Sequence, residues 1–278
     1  MTDLQHTVTS LDALLPPEMA RKAEQVGEKK ANLDLATMFV LALLGGAFIA
    51  WGAALATVVA TSGAAEPLPF GVTKVLSGLV FCVGLILVVV AGAELFTGNN
   101  LIVMGWASGR VTSGNLLRNW IVVYIGNLIG ALATAAIVYF AGAANQANGA
   151  VGETMMKIAA AKCNLGFAQA IAAGIGCNAL VCVAIWLCMS ARSVTDKIAA
   201  IIFPITTFVA TGMEHCVANM YFIPIGMLAR GSADIYPELS LNGFLVGNLL
   251  PVTIGNIIGG AGLVGLVYWF AYLRKSSV

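Results

Sequence analysis

Three ionisable side chains stand in the interior of long apolar runs: Glu94, Glu214 and His215. An ionisable group at that depth in hydrocarbon is expensive, and it commonly marks a solute or proton path. The two glutamates hold equivalent places in a repeated pattern, Gly92-x-Glu94-x-x-x-x-Asn99 and Gly212-x-Glu214-x-x-x-x-Asn219. Either they accept N–H bonds from irregular backbone or they touch a solute. Their symmetric placement favours the structural role, which Asn99 would share. His215 breaks the symmetry, because Leu95 occupies the equivalent position. Imidazole changes charge near neutral pH, so a functional role is favoured there. Thr97 carries a hydroxyl that either meets the solute or returns to a carbonyl of its own helix. Asn178 and Asn219 either line a polar strip or tie helices together. By composition alone Phe81, Leu85, Leu95, Phe96, Val181 and Phe208 read as core or lipid-facing residues. His6, in the polar start of the chain, has no evident task.

These groups need elements that reach membrane depth. The 278 residues are 59% hydrophobic and 10% charged, with a mean hydropathy of +0.91. Soluble domains carry roughly a quarter charged residues, so the expected class is an all-α membrane protein. Apolar stretches cover about 37–60, 72–108, 115–141, 166–191, 197–229 and 245–272, and roughly 20 apolar residues cross the hydrocarbon core. The reading is a cytoplasmic N-terminal segment over 1–36, a six-helix transmembrane domain over 37–273 and a short tail over 274–278. Pro16 and Pro17 suit the start of a helix. Glu18 with Lys22 forms an i,i+4 pair, and Met19, Ala23 and Val26 recur at helical spacing. A short amphipathic helix fits, and so does a solvated tail. No basic-then-apolar start of a cleaved signal peptide is present.

Lys and Arg favour cytoplasmic loops. Arg21, Lys22, Lys29, Lys30, Arg110, Arg118, Arg192, Lys197, Arg274 and Lys275 fall on one side; Lys74, Lys157, Lys162 and Arg230 fall on the other. Both termini are therefore expected in the cytoplasm. Six cysteines are scattered singly without metal-ligand spacing, and in apolar runs they read as packing residues. No nucleophile–base spacing is evident, so neither an enzyme nor a metal or other cofactor is expected. A net charge of +1 argues against nucleic acid as a partner.

The halves resemble each other. Tyr124-Ile-Gly-Asn-Leu-Ile-Gly130 returns as Thr253-Ile-Gly-Asn-Ile-Ile-Gly259, in the same order as the Gly-x-Glu repeat. The repeats span about 37–141 and 166–272. A unit of three spans is odd-numbered, so the second copy enters the membrane inverted. The second and fifth stretches are too long for one simple crossing. A continuous helix of about 35 residues reaches roughly 50 Å against a core of roughly 30 Å. Each is expected to break at its Gly-x-Glu motif. Non-helical backbone at that depth survives only inside protein or beside a cavity, so the breaks border a route across the bilayer. The glycines of Gly126-x-x-x-Gly130 and Gly255-x-x-x-Gly259 indicate close helix packing.

Gly92-Ala-Glu-Leu-Phe-Thr-Gly-Asn99, Gly212-Met-Glu-His-Cys-Val-Ala-Asn219 with its continuation to Gly226, and Pro251-Val-Thr-Ile-Gly-Asn-Ile-Ile-Gly-Gly260 resemble the formate–nitrite transporter family over nearly the whole chain. The resemblance implies an aquaporin-like fold and a homopentamer in the bacterial inner membrane, with one pore per protomer. It implies a pathway for formate and related small monovalent anions through His215 and Thr97, with Asn178, Asn219 and a vestibular Lys162. Phe81, Leu85 and Leu95 would narrow it toward one side, Val181 and Phe208 toward the other, with Phe96 a further constriction residue. His215 would hydrogen-bond to the anion and lend it a proton, while Thr97 orients its oxygens. Histidines that follow the vestibular lysine in some relatives are replaced here by Cys163 and Asn164, so the imidazoles of a vestibular proton relay are missing at those positions. Nitrite or hydrosulfide remains the alternative cargo, and a non-conducting docking protein the alternative class. The N-terminal segment is implied in gating and in contact with pyruvate formate-lyase. Water channels are set apart by paired Asn-Pro-Ala motifs, which are absent.

Overall fold

The computed structural model describes residues 13–61, 68–233 and 235–274; His6, Lys275 and most of the C-terminal tail lie outside them. Among the described residues the chain is helical with no strand. Helix α1, Pro16–Ala31, opens on its prolines, and Glu18 caps it by accepting the Leu15 N–H at 2.9 Å. The expected Glu18–Lys22 pair does not form. Lys22 donates instead to the Met189 carbonyl at 2.7 Å, because α1 lies against protein rather than free in water. Its Met19, Ala20 and Ala23 are buried in a small apolar cluster with Met104, Trp186 and Val264.

Helix α2, Leu35–Ala60, is followed by α3, Phe70–Ile86, which continues as wider π turns to Gly92. Residues 93–97 are not continuous α-helix; a 3₁₀ turn over Gly98–Ile102 then leads into α4, Val103–Ala107. Helix α5 covers Ser113–Phe140 and α6 covers Ala150–Cys163. The second half runs through α7, Phe167–Ser190, and α8, Val194–Ala210. Helix α9 starts at Cys216 and ends at Arg230. The last span, Gly243–Tyr272, contains α10 (Leu250–Ile257) and α11 (Val267–Tyr272) joined by π turns.

Both expected breaks are present. Among the described residues five helices are long and apolar enough to cross a membrane; a sixth crossing requires α8 and α9 together, each too short alone. Helix α3 ends at Gly92 with φ +89° and α8 ends beside Gly212 with φ +73°, the left-handed conformation that closes a helix without a Cβ penalty. The Gly-x-x-x-Gly pairs work as the sequence suggested. A methyl on Gly130 would meet the Leu43 carbonyl of α2, and one on Gly259 would meet the Ile175 carbonyl of α7. The outward faces carry large apolar side chains, among them Trp51, Ile121, Ile125, Phe203 and Val246, which suits lipid or a neighbouring subunit.

Candidate functional site

Each break is held by a side-chain amide. Asn127 Nδ2 donates to the carbonyls of Ala42 (2.7 Å) and Glu94 (2.9 Å), and its Oδ1 accepts from the Phe96 N–H at 2.9 Å. Asn256 does the same in the second half. It donates to Gly174 (2.8 Å) and Glu214 (2.9 Å) and accepts from the Cys216 N–H at 2.9 Å. The breaks also lean on the first span of their own repeat, through Glu94 N–H to Leu41 O and Glu214 N–H to Ala173 O. Backbone that leaves the helix is thus paired without water.

Beside each amide sits an ion pair whose carboxylate is buried and whose lysine is half-buried. Lys30 Nζ donates to Glu94 Oε1 at 2.7 Å, and Asn99 Nδ2 donates to Glu94 Oε2 at 2.6 Å. Lys162 Nζ donates to Glu214 Oε1 at 2.8 Å, and Asn219 Nδ2 donates to Glu214 Oε2 at 2.6 Å. Each asparagine then donates to a second one, Asn119 or Asn248, which returns to the carbonyl of Lys30 or Lys162. The carboxylates therefore tie lysine to broken backbone. Lys30, Asn119, Asn127, Asn248 and Asn256 were not singled out from sequence. A signal was present: Lys30-Ala-Asn-Leu33 and Lys162-Cys-Asn-Leu165 are a third repeat, which makes α1 and α6 equivalents.

Two cavities flank the breaks. One, of about 510 Å³, is lined by Lys74, Ser77, Phe81, Lys162, Phe208 and His215 among others. The other, of about 590 Å³, is lined by Lys22, Lys30, Glu94, Leu95, Gly98 and Lys197 among others. The first therefore ends on His215 and the second on the neighbours of Thr97. Those two residues meet, with Thr97 Oγ1 and His215 Nε2 2.9 Å apart and both side chains buried. His215 Nδ1 accepts from the Ala218 N–H at 3.0 Å. A neutral ring so capped carries its hydrogen on Nε2, facing Thr97.

The other residues fall out as follows. Phe81 and Phe208 meet edge to face at 5.6 Å, and Phe208 stacks on His215 at 6.0 Å. The grouping of Phe81 with Leu95, opposite Phe208, is thereby corrected: Phe81 and Phe208 share the Lys162 cavity, and Leu95 lines the other. The inverted repeat is the reason, since Val88 and Phe208 are equivalents that face opposite cavities. Leu85 and Val181 are buried and line neither cavity, and Phe96 packs on Trp120 and Tyr124. Asn178 lines neither cavity either. It donates to the carbonyls of Thr97 (3.2 Å) and Asn256 (2.7 Å), tying α7 to the first break and to α10. Asn219 lines the Lys162 cavity, and its Oδ1 is buried without a donor. Among the described residues no cluster of side chains suits a metal ion.

The family model described as formate/nitrite transporter matches residues 17–270. The chain belongs to the formate/nitrite transporter family. It is 43% identical to the formate channel FocA of Escherichia coli (strain K12), over 96% of this chain and 97% of that one. Among solved structures it matches a pentameric formate channel with formate bound, with a TM-score of 0.80 and 42% identity over 86% of this chain and 98% of the other. An ion channel of the same family superposes with a TM-score of 0.81 at 28% identity, covering 91% of this chain and 98% of that chain. These likenesses make the chain a multi-pass membrane transporter rather than an enzyme.

Proposed function

We propose that this chain is a formate channel of the bacterial inner membrane, assembled as a homopentamer with one pore in each six-span protomer and both termini in the cytoplasm. The observation that carries the reading is the buried Thr97–His215 contact between two lysine-bearing cavities, in a chain so similar to formate channels. The orientation rests on the ten of fourteen Lys and Arg residues that fall on one side.

Formate is anionic at neutral pH, and a bare carboxylate between Phe81, Phe208 and Leu95 would lose its hydration without replacement. The lysines draw it into either cavity. At the narrow point Thr97 and His215 replace water. With Nε2–H donating to Thr97 Oγ1, the Thr97 hydroxyl proton is free for a carboxylate oxygen, and Nε2–H serves the solute when the pair parts. Lending a proton asks more of His215. The ring must first become imidazolium by protonation at Nδ1, which gives up the Ala218 bond. Proton transfer is therefore coupled to loosening of the first turn of α9.

Formate uptake into proteoliposomes across a pH series tests this with His215→Asn and His215→Phe. The Asn variant can still donate and still cap α9, so it should conduct formate without the wild-type pH response. Phe should lose both. Unchanged flux and pH response in both variants would remove the histidine from the mechanism. Competition with nitrite and hydrosulfide identifies the preferred cargo. Helix α1 is read as the gating segment, supported by Lys22, Val26 and Lys30 lining the second cavity; its contact with pyruvate formate-lyase rests on the family resemblance alone. Formate flux indifferent to deletion of residues 1–30 counts against gating.

A further inference from the structure

Ser77 stands out among the hydroxyls of the apolar helices. Thr57, Thr134, Thr207 and Thr253 each return their proton to the carbonyl four residues earlier, at 2.7 to 2.9 Å, the usual way to hide a hydroxyl in hydrocarbon. The Ser77 Oγ is buried without any hydrogen-bond partner, although the side chain is only 6% exposed. It lines the Lys162 cavity. A buried hydroxyl with no partner is costly, and it is satisfied once the cavity holds something that bonds it.

Two neighbours say what that is. Lys74 lies one helical turn earlier on α3 and lines the same cavity. Its ammonium rests 5.5 Å from the centre of the exposed Phe70 ring, and no carboxylate pairs with it among the described residues. Phe81 lies one turn further on and also lines the cavity. Ammonium, hydroxyl and phenyl thus follow one another along one face of α3. The repeat gives an independent indication. The spacing that relates Glu94 to Glu214 relates Ser77 to Lys197, and Lys197 lines the opposite cavity. The position that faces one cavity with a cation faces the other with a hydroxyl.

We propose that Lys74 and Ser77 form a binding station for a small monovalent carboxylate in the Lys162 cavity, ahead of Phe81 and His215. Resting on the reading of the chain as a formate channel, it adds an intermediate stop on one side of the pore. The Lys74 charge attracts the carboxylate, and Ser77 donates its proton to one carboxylate oxygen, a charge-assisted bond. The other cavity has no such station, having Lys22, Lys30 and Lys197 in its place.

The test is sided formate uptake in right-side-out and inside-out membrane vesicles holding the full chain, with Ser77→Ala and Lys74→Gln. Each variant should raise the half-saturating formate concentration from the Lys162 side by about threefold or more, and shift it from the other side by less than about twofold. Equal changes from both sides would mean a general disturbance of the pore, and no change from either side would mean no station; both overturn the proposal. A second measurement separates this from failure of the channel reading. Broadening of the 13C-formate resonance by detergent-solubilised protein reports binding without flux, and it should weaken in both variants even if wild-type vesicles carry no formate. Broadening equal in wild type and variants overturns the station.

Discussion

At the scale of the residue, Asn256 holds three backbone groups with one side chain, as Asn127 does at the first break. Its amide closes two carbonyls and one N–H at the second break, and it is fully buried. Replacing it by Ala removes this partner from the Glu214 carbonyl and the Cys216 N–H at the break, at about 1–3 kcal/mol each where water cannot reach. Asn256→Ala should therefore lower the midpoint of thermal unfolding in detergent far more than Thr211→Ala, whose hydroxyl sits in an exposed turn and bonds its own helix. Similar midpoints for the two would show that the break is held by something else. Glu214 and Lys162 form a second such unit. Removing one partner of a buried ion pair costs about 3–5 kcal/mol, and removing both costs less. Glu214→Gln with Lys162→Met should then unfold at a higher temperature than Lys162→Met alone. Both glutamates were legible in the sequence, because a carboxylate in an apolar run is conspicuous. Asn99, in the same motif, was legible with them; Asn119 and Asn248 were not, since an asparagine looks the same whether it holds backbone or faces lipid. Asn178 shows this: its place in an apolar stretch left a polar strip and a helix tie equally open, and it donates to the Thr97 carbonyl.

At the scale of the element, the breaks were legible because stretches 72–108 and 197–229 exceed one crossing. The glycines that end α3 and α8 make them possible. Gly212 has φ +73°, and no atom lies within 4 Å of the place a methyl would occupy, so its cost on substitution is purely conformational. Gly212→Ala should destabilise by about 1–2 kcal/mol, read as a lower unfolding midpoint, without altering helix content by circular dichroism. A larger loss of helix would mean that the break is not set by this residue. The start of α2 titrates. The Thr37 N–H holds the Asp34 carboxyl below its ordinary value of 3.8. A lowered folded-state value means that the cap contributes above 3.8 and is lost as pH falls through the folded value. Asp34→Ala should thus reduce the unfolding midpoint near neutral pH and make no difference in stronger acid. What stayed hidden at this scale was α6. A 14-residue helix with mixed polarity carries no crossing signal, and only its packing on α9 gives Lys162 its reach.

At the scale of the whole molecule, one pattern is used twice in opposite orientations. Tyr124 and Thr253, equivalents in the two repeats, bond each other at 2.8 Å where the halves meet. The inverted arrangement was legible because an odd-numbered repeat leaves no other topology. The cation placed at both mouths was not, because Lys30 reads as part of a polar tail until α1 is seen to return to the first break. That placement has a consequence for transport. Lys22, Lys30 and Lys197 face one cavity, and Lys74 and Lys162 face the other, so an anion meets a positive field from either side. Lys30 and Lys162 are offset by their glutamates, which leaves the field to the outer lysines and to broken-helix dipoles. Such steering is screened over about 10 Å at 0.1 M salt and about 30 Å at 0.01 M. Formate entry at subsaturating concentration should therefore slow several-fold between those two ionic strengths, while flux at saturating formate, limited beyond the cavities, changes little. Proteoliposomes balanced osmotically with sucrose and sodium gluconate give the comparison. A protein that captured neutral formic acid from bulk water would show no such slope, and salt-independent entry from both sides would remove the lysines from the recruitment step.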